Sequence, residues 1–409
     1  MAAEWIKTTV GDFCPFIYGK GLPAEKRING NIPVVSSAGI SGSHDQALVP
    51  TKGIVIGRKG TVGSVTYCEK PFWPIDTTFY VVDEPMKRDV RFTYYLLKTI
   101  GLETMNSDSA VPGLNRDNAH AVQVKVPPLS EQKRISSILG ALDDKIELNR
   151  RMNAKLEDVA RTLFKSWFVD FDPVRTKLDG RPPAGMDAAT AALFPDAFVE
   201  SALGLMPRGW QATTIGSSIG FLSGFAFKSQ DWQGEGIPVV KIGSVKPGLI
   251  DLDQVSYVSA MIAKQAARYR LRAGDLLIGM TGYVGEVGLV PPSANPPLLN
   301  QRVGKFVLEI PGTESLAFWY CITTQPAFNA YVESQSHGTA QANVSGEAIM
   351  SFPHLMPPNE IVRAFNLRCR STFDRLLLNY GESRALKELR DLKFTKLFGE
   401  ANSVDMGLR

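Results

Sequence analysis

The chain has 409 residues, 44% of them hydrophobic and 21% charged, with a mean hydropathy of −0.05 and a formal net charge of +4 from 45 basic and 41 acidic side chains. That length suggests two or three domains, and the balance excludes wholesale disorder, which needs low hydrophobicity and high net charge. A small positive charge permits a polyanionic partner without demanding one, no run approaches the roughly 18 apolar residues of a membrane helix, and the first residues, Met1 to Trp5, lack the basic-then-apolar pattern of a secretory signal.

The first part of the chain reads as strands and turns. Gly53-Ile54-Val55-Ile56-Gly57 and Phe79-Tyr80-Val81-Val82 are short apolar runs bounded by turn residues, as buried strands are. The turn Gly57-Arg58-Lys59-Gly60 lies between them, and 92–100 reads as a short apolar helix. Pro127-Pro128 then marks a helix start. Behind it, Ile135, Leu142, Leu156 and Leu163 recur at heptad spacing, with a second stripe of Leu139, Ile146, Ala160 and Trp167. That pattern argues for a coiled coil. Around Arg181-Pro182-Pro183-Ala184-Gly185 the composition turns loop-like, and 173–205 reads as a linker holding at most one short helix. Strand-like runs return at Asp275-Leu276-Leu277-Ile278-Gly279 and Lys305-Phe306-Val307-Leu308, a short helix at 315–321, and a second long helix after Pro357-Pro358, with Phe365, Leu376, Leu386, Leu389 and Leu397 on its stripe. Each long helix is expected to span about 38 residues, or roughly 57 Å.

The second half repeats the first. Ile32-Pro33-Val34-Val35 returns 205 residues later as Ile237-Pro238-Val239-Val240, and Trp5 and Gly11 return as Trp210 and Gly216. Gly60-Thr61-Val62-Gly63 matches Gly282-Tyr283-Val284-Gly285, and Pro127-Pro128 matches Pro357-Pro358. The period is too long for a solenoid, so the expected fold is α+β: two similar mixed α/β domains, each followed by a long helix. The two helices are expected to form an antiparallel coiled-coil spacer. The segments run 1–128, 129–172, 173–205, 206–357 and 358–409. Asn149 interrupts the first apolar seam, and its repeat equivalent is Asn379. Both lie near the middle of their helices. Either they face solvent, or they meet and set the register of an antiparallel pair.

A duplicated domain on a spacer suits a reader of two separated DNA sites, since equivalent groove faces recur about every 34–36 Å. The sequence also resembles the specificity subunits of type I restriction–modification systems over nearly its whole length. Lys165-Ser166-Trp167-Phe168-Val169-Asp170-Phe171-Asp172-Pro173-Val174-Arg175 is similar to that family's central conserved region. Gly204-Leu205-Met206-Pro207-Arg208-Gly209-Trp210, Gly224-Phe225-Ala226-Phe227-Lys228-Ser229 and Pro127-Pro128-Leu129-Ser130-Glu131-Gln132 resemble the openings of its recognition domains and of its conserved helix. Pro358-Asn359-Glu360 departs from the longer pattern. The diverged duplicate domains on their spacer lead to a split, asymmetric target in double-stranded DNA, the widely spaced cysteines fit a reducing cytoplasm, and the resemblance implies a non-catalytic subunit. It implies two methyltransferase subunits as partners, which restriction subunits, two at most, can join. It implies no cofactor on this chain, with S-adenosylmethionine, ATP and Mg held by those partners.

The residues offer little chemistry of their own. No GxxxxGK[ST] loop is present. Asn295-Pro296-Pro297-Leu298 nearly matches the NPP-aromatic motif of adenine methyltransferases, but Leu298 cannot stack on a flipped base, and turn chemistry explains it better. His44, His120, His337 and His354 are isolated, and Cys14, Cys68, Cys321 and Cys369 form no CxxC pair, so metal and disulfide frameworks are poor readings. The alternatives to an adaptor are a single-chain adenine methyltransferase with an atypical motif, or a coiled-coil scaffold that reads no DNA.

Base readout uses Arg, Lys, Asn and Gln, and phosphate contact uses cations, hydroxyls and backbone N–H groups. On that basis the DNA-facing candidates in the first copy are Ser36, Ser37, His44, Arg58, Lys59, Thr77, Thr78, Asn115 and Arg116. In the second they are Lys228, Lys241, Thr281, Tyr283, Gln301, Arg302, Gln341 and Asn343, with Gln341 and Asn343 matched to the region near Asn115. For each, an ordinary solvated loop is the alternative. Phe225, Phe227 and Trp232 could wedge against bases, although aromatics are more often core. Phe164, Trp167, Phe168, Phe394 and Phe398 cluster at the helix ends. Those left exposed are expected to anchor partner subunits.

Overall fold

The computed structural model describes residues 5–105, 113–308, 315–336 and 342–399. They fall into two compact units, one within Met1–Ile146 and Leu386–Arg409 and the other within Glu147–Ala385. The units cut across the sequence-based segments because both long helices contribute to both units. Ile135 and Leu139 bury in the core of the first, Ala160 and Phe164 in that of the second. No helix among the described residues is long and apolar enough to cross a membrane.

In the first unit, β1 (Ile6–Thr9), α1 (Val10–Phe13), β2 (Ile17–Tyr18), β3 (Ile32–Ser36), β4 (Gly39–His44), β5 (Gly53–Gly57), β6 (Val65–Cys68), β7 (Trp73–Pro74), β8 (Thr78–Val82), α2 (Val90–Leu97), α3 (Arg116–His120) and β9 (Gln123–Val126) precede the long helix α4 (Leu129–Phe168). One antiparallel sheet has the order β2-β8-β5-β6, and a second has β4-β3-β7 with β3 and β7 parallel. All five residues of β5 are buried. Ile54 and Ile56 enter a core with Phe16, Phe79, Phe92 and Leu96, whereas Val55, pointing the other way, packs with Val35, Val49 and Phe72. A strand buried on both faces reads as a continuous apolar run.

The Pro127-Pro128 start of α4 works through Gln132. Its amide donates to the Pro127 carbonyl at 2.9 Å and accepts from the Asp89 N–H at 3.0 Å. Asp89 in turn caps α2 by accepting from Phe92 N–H at 2.8 Å. Further along α4, Asp143 accepts from the Tyr95 hydroxyl at 2.5 Å and from Arg390 at 2.9 Å.

The second unit adds α5 (Asp172–Leu178), α6 (Ala188–Ala192), β10 (Phe198–Ser201), β11 (Gly204–Pro207), β12 (Gln211–Thr214), β13 (Gly220–Ser223), β14 (Trp232–Gln233), β15 (Ile237–Val240), β16 (Val245–Lys246), β17 (Gly248–Ile250), β18 (Ser256–Val258), α7 (Ala260–Gln265), β19 (Leu276–Gly279), β20 (Val287–Leu289), β21 (Leu298–Leu299), β22 (Val303–Val307), α8 (Leu316–Thr323), α9 (Pro326–Ser334), α10 (Gly346–Met350), β23 (Pro353–Met356) and α11 (Asn359–Gly399). Its sheets β13-β22-β19-β20-β17-β16 and β14-β18-β15-β21 contain the first unit's plan. β13, β22, β19 and β20 stand where β2, β8, β5 and β6 stand, and β15 pairs parallel with β21 as β3 does with β7. The extra strands β16 and β17 fall where the repeat shift grows.

Three sequence-based expectations change here. The segment 173–205 is no free linker: Val174 and Phe194 are buried, the Lys177 ammonium donates to the Phe194 carbonyl, and β10 and β11 form a hairpin. Leu389 is 42% exposed and so lies off the buried stripe of α11, whereas Phe365 and Leu376 are fully buried. Asn149 and Asn379 are both fully buried but do not bond each other. Asn379 donates to Asn153 at 2.7 Å, while Asn149 donates to Glu382 at 2.8 Å and Ser383 at 3.3 Å. The antiparallel pairing is thus offset by one turn, which carries each amide to a polar side chain of the facing helix.

The helix-end aromatics also depart from expectation. Phe164, Trp167 and Phe168 are 5–8% exposed and pack with Phe171, Trp210, Phe318 and Phe365 in the core of the second unit. Phe398 is 2% exposed in the first, stacked on Phe92, and the half-buried Phe394 packs against it. Each such ring removes some 150–250 Å² from water, and this chain already takes that gain, so these side chains offer a partner little surface.

Candidate nucleic-acid interface

In the first unit the turn after β5 is tied into a knot of three chain segments. Arg58 and Lys59 N–H groups donate to the Thr77 carbonyl at 2.9 and 3.1 Å, and Leu114 N–H donates to the Arg58 carbonyl at 2.9 Å. The turn closes because Gly57 leaves room for the Thr61 carbonyl, which would lie 2.1 Å from a Cβ, and because Gly60 takes φ +78°. Asn115 follows as the cap of α3, accepting from Asp117 and Asn118 N–H groups at 2.9 and 3.1 Å. Arg58, Lys59, Thr77, Asn115 and Arg116, distant in sequence, therefore form one patch. Ser37 borders it, its carbonyl accepting from the Ser64 hydroxyl at 2.6 Å.

Sequence reasoning missed the residue at the centre of this patch. Tyr18, at the end of β2, is 49% exposed, with the Arg58 guanidinium 5.4 Å and the Arg116 guanidinium 5.1 Å from its ring centroid. Both are within cation–π range. No repeat signal could have found it, because the residue 205 positions on is Ser223.

Other candidates serve the fold. His44 is 6% exposed, its Nδ1 accepting from Ile28 N–H at 3.0 Å. Thr78 is fully buried and donates to the Ile75 carbonyl at 2.7 Å. Neither presents a group to a ligand, because each satisfies backbone that water cannot reach. Ser36 is half-buried, its hydroxyl donating to the Gly39 carbonyl at 3.0 Å.

The second unit repeats the knot. Met280 N–H donates to the Arg302 carbonyl at 3.1 Å and Val344 N–H to the Met280 carbonyl at 2.9 Å. Gly282 takes φ +75°, and a Cβ on Gly279 would lie 2.4 Å from the Tyr283 carbonyl. Asn343 thus stands where Gly113 does, and Ser345, which caps α10, stands where Asn115 does. Thr281 is 7% exposed and donates to Asn343 at 2.8 Å. Tyr283 is 59% exposed with the Lys246 ammonium 5.7 Å from its ring centroid, and Gln301, Arg302 and Asn343 are exposed. Lys241 lies 5.0 Å from the Trp232 ring centroid and donates to Ser256 at 3.1 Å. Lys228 is exposed, its N–H donating to Asp231 at 2.8 Å. Phe225, Phe227 and Trp232 pack on one another as core. Gln341, like His337, lies outside the described residues.

The near-methyltransferase motif is also structural. Asn295 donates to the Gly236 carbonyl at 3.2 Å, and Leu298 is fully buried in β21. All four cysteines are buried; desolvation pushes the Cys14, Cys68 and Cys369 thiols up to about 12, so these three are poor nucleophiles at neutral pH. Among the described residues no cluster of His, Cys, Asp and Glu could hold a metal ion.

Comparison with known proteins points the same way. The family described as the type I restriction modification DNA specificity domain matches residues 3–158. The specificity subunit of the type I restriction enzyme HindI of Haemophilus influenzae is 26% identical over 370 residues, covering 78% of this chain and 80% of that one. The MjaVIII specificity subunit of Methanocaldococcus jannaschii is 20% identical over 407 residues, covering 95% and 90%. The crystal structure of a type I restriction–modification S subunit from M. genitalium matches 97% of this chain and 96% of its own at a TM-score of 0.60 and 17% identity, a likeness of fold.

Proposed function

We propose that the chain is a specificity subunit of a type I restriction–modification system, which reads a split, asymmetric DNA target and performs no chemistry on it. The observation that carries this is the knot built twice with different side chains: one hydrogen-bonded frame, two sets of groups to present to a duplex. Phosphate contact from Lys59, Lys241 and Arg302 holds the register, and the exposed polar groups of each knot read base edges. Two methyltransferase subunits, which two restriction subunits can join, supply S-adenosylmethionine, ATP and Mg chemistry in the cytoplasm, and this chain binds none of those groups. The methyltransferase subunits dock on the long helices, where Val159, Leu367 and Leu378 are 62–71% exposed.

The test is direct. Affinity of the chain with its methyltransferase subunits for duplex DNA should fall steeply with salt, and Lys59→Ala should reduce the log–log slope by about 1. Titration of the isolated chain with S-adenosylmethionine should give no binding heat; a binding isotherm would restore the single-chain methyltransferase reading. Mapping methylated adenines in the native genome with and without this gene should show one bipartite motif disappear.

A further inference from the structure

The two knots differ in one respect that bears on what each reads. Arg58 forms no hydrogen bond or ion pair through its guanidinium with any described residue, and its Nε is buried without a partner. Among the described residues Arg116 has only Asp117, whose oxygen lies 3.6 Å from Nε and whose side chain is 84% exposed. Stacking on Tyr18 therefore orients two guanidinium groups while leaving their outer N–H donors unspent. A planar fork of donors, fixed in direction and unsatisfied among the described residues, matches the paired O6 and N7 acceptors that guanine shows in the major groove.

The second unit has no such device at the matching positions. By strand register Tyr18 opposes Phe79 as Ser223 opposes Gly304. Arg58 corresponds to Met280 by the hydrogen bond to the neighbouring loop, and Arg116, first residue of α3, corresponds to Gly346, first residue of α10. Its cation–ring pairs beside the recognition loops are instead Lys241 over Trp232 and Lys246 over Tyr283, which are point charges with no fork; its one described stacked guanidinium, Arg175 over Phe198, has its Nε donating to the Asp170 carbonyl at 2.8 Å.

We propose that Arg58 and Arg116, aligned by Tyr18, read guanine in the half of the target bound by the first unit, and that Tyr18 is a positioning residue for both. The proposal rests on the DNA-reading function above and adds the base and the residues. Phosphate contact by the same arginines is the competing outcome, and the two differ in whether removing the guanine N7 matters.

The experiment uses the full chain with its methyltransferase subunits and duplexes bearing its mapped motif, with each guanine replaced in turn by 7-deazaguanine. In the wild type, one replacement in one half should weaken binding roughly 5- to 100-fold. Arg58→Ala or Arg116→Ala should make the protein indifferent to that replacement, within about twofold, while the other half is read unchanged. Arg58→Lys, which keeps the charge and the fold, should retain the salt dependence and lose the discrimination. Tyr18→Phe should behave as wild type and Tyr18→Ala should lose discrimination without loss of helix content by circular dichroism. Equal weakening of the natural and 7-deaza duplexes in the arginine variants, or a motif without guanine in the half those variants alter, would overturn the assignment to guanine while leaving DNA reading intact. Wild-type protein that binds its motif no better than a scrambled duplex would overturn the reading itself and this assignment with it.

Discussion

The knot around Arg58 and the knot around Met280 share a backbone and almost nothing else. In both, a glycine-bounded turn donates to a neighbouring strand loop and accepts from the segment that leads into a capped one-turn helix. In the first unit the turn carries Arg58 and Lys59 beside an exposed tyrosine; in the second it carries buried Met280 and Thr281, and the exposed ring is Tyr283 on the turn itself. Hydrogen bonds between backbone groups do not depend on side-chain identity, so a frame made of them can be copied while its cargo changes. Two readers of different half-sites need that separation of frame from cargo.

The largest test of the comparison asks whether each unit stands on its own core. Phe365→Ala in the second and Phe398→Ala in the first, both buried at 0–2% exposure, should each cost about 3–5 kcal/mol. Denaturant unfolding monitored by tryptophan fluorescence should show whether each loss is confined to its own unit; coincident loss in both would join what the comparison separates.

Next in size is a pH effect centred on the second unit's His354. Burial lowers His354 to about 4 from an ordinary 6.5. The folded state keeps the imidazole neutral where the unfolded chain takes up a proton, so stability is full above pH 6.5 and falls as pH drops toward 4. The loss should reach about 3 kcal/mol and then level off. Thermal melts across pH 4–7 should lose this slope in His354→Phe.

The buried amides come third. Asn379→Leu should cost about 1–3 kcal/mol, since Asn153 is left without its donor, and the double change with Asn153→Leu should recover most of it. A double mutant as unstable as the sum of the singles would show that the amides are not coupled. The smallest contrast lies in the knots. Thr281→Ala should cost about 1 kcal/mol by removing the bond to Asn343, whereas Lys59→Ala, with an exposed side chain, should stay within about 0.5 kcal/mol. Equal costs would mean that the two turns carry the same structural load.

Much of this was legible before any coordinates. Periodicity located both long helices, Gly53 to Gly57 read as a buried strand, and matched glycine turns revealed the duplication. What could not be read was direction. His44 and Thr78 lie in polar loops and look available, yet each turns inward to bond backbone. Phe398 and Trp167 sit at helix ends and look like anchors, yet each is consumed by its own unit's core. Tyr18 carried no signal because its importance lies in two arginines brought to it from 40 and 98 positions further along the chain.

Local chemistry alone therefore determined the elements: where glycine permits a turn, where proline opens a helix, and where an apolar period demands a partner. Tertiary structure decided which polar side chains were spent on satisfying backbone and which were left to meet a ligand. That choice depends on burial and on hydrogen-bond partners distant in sequence, and no local pattern encodes either.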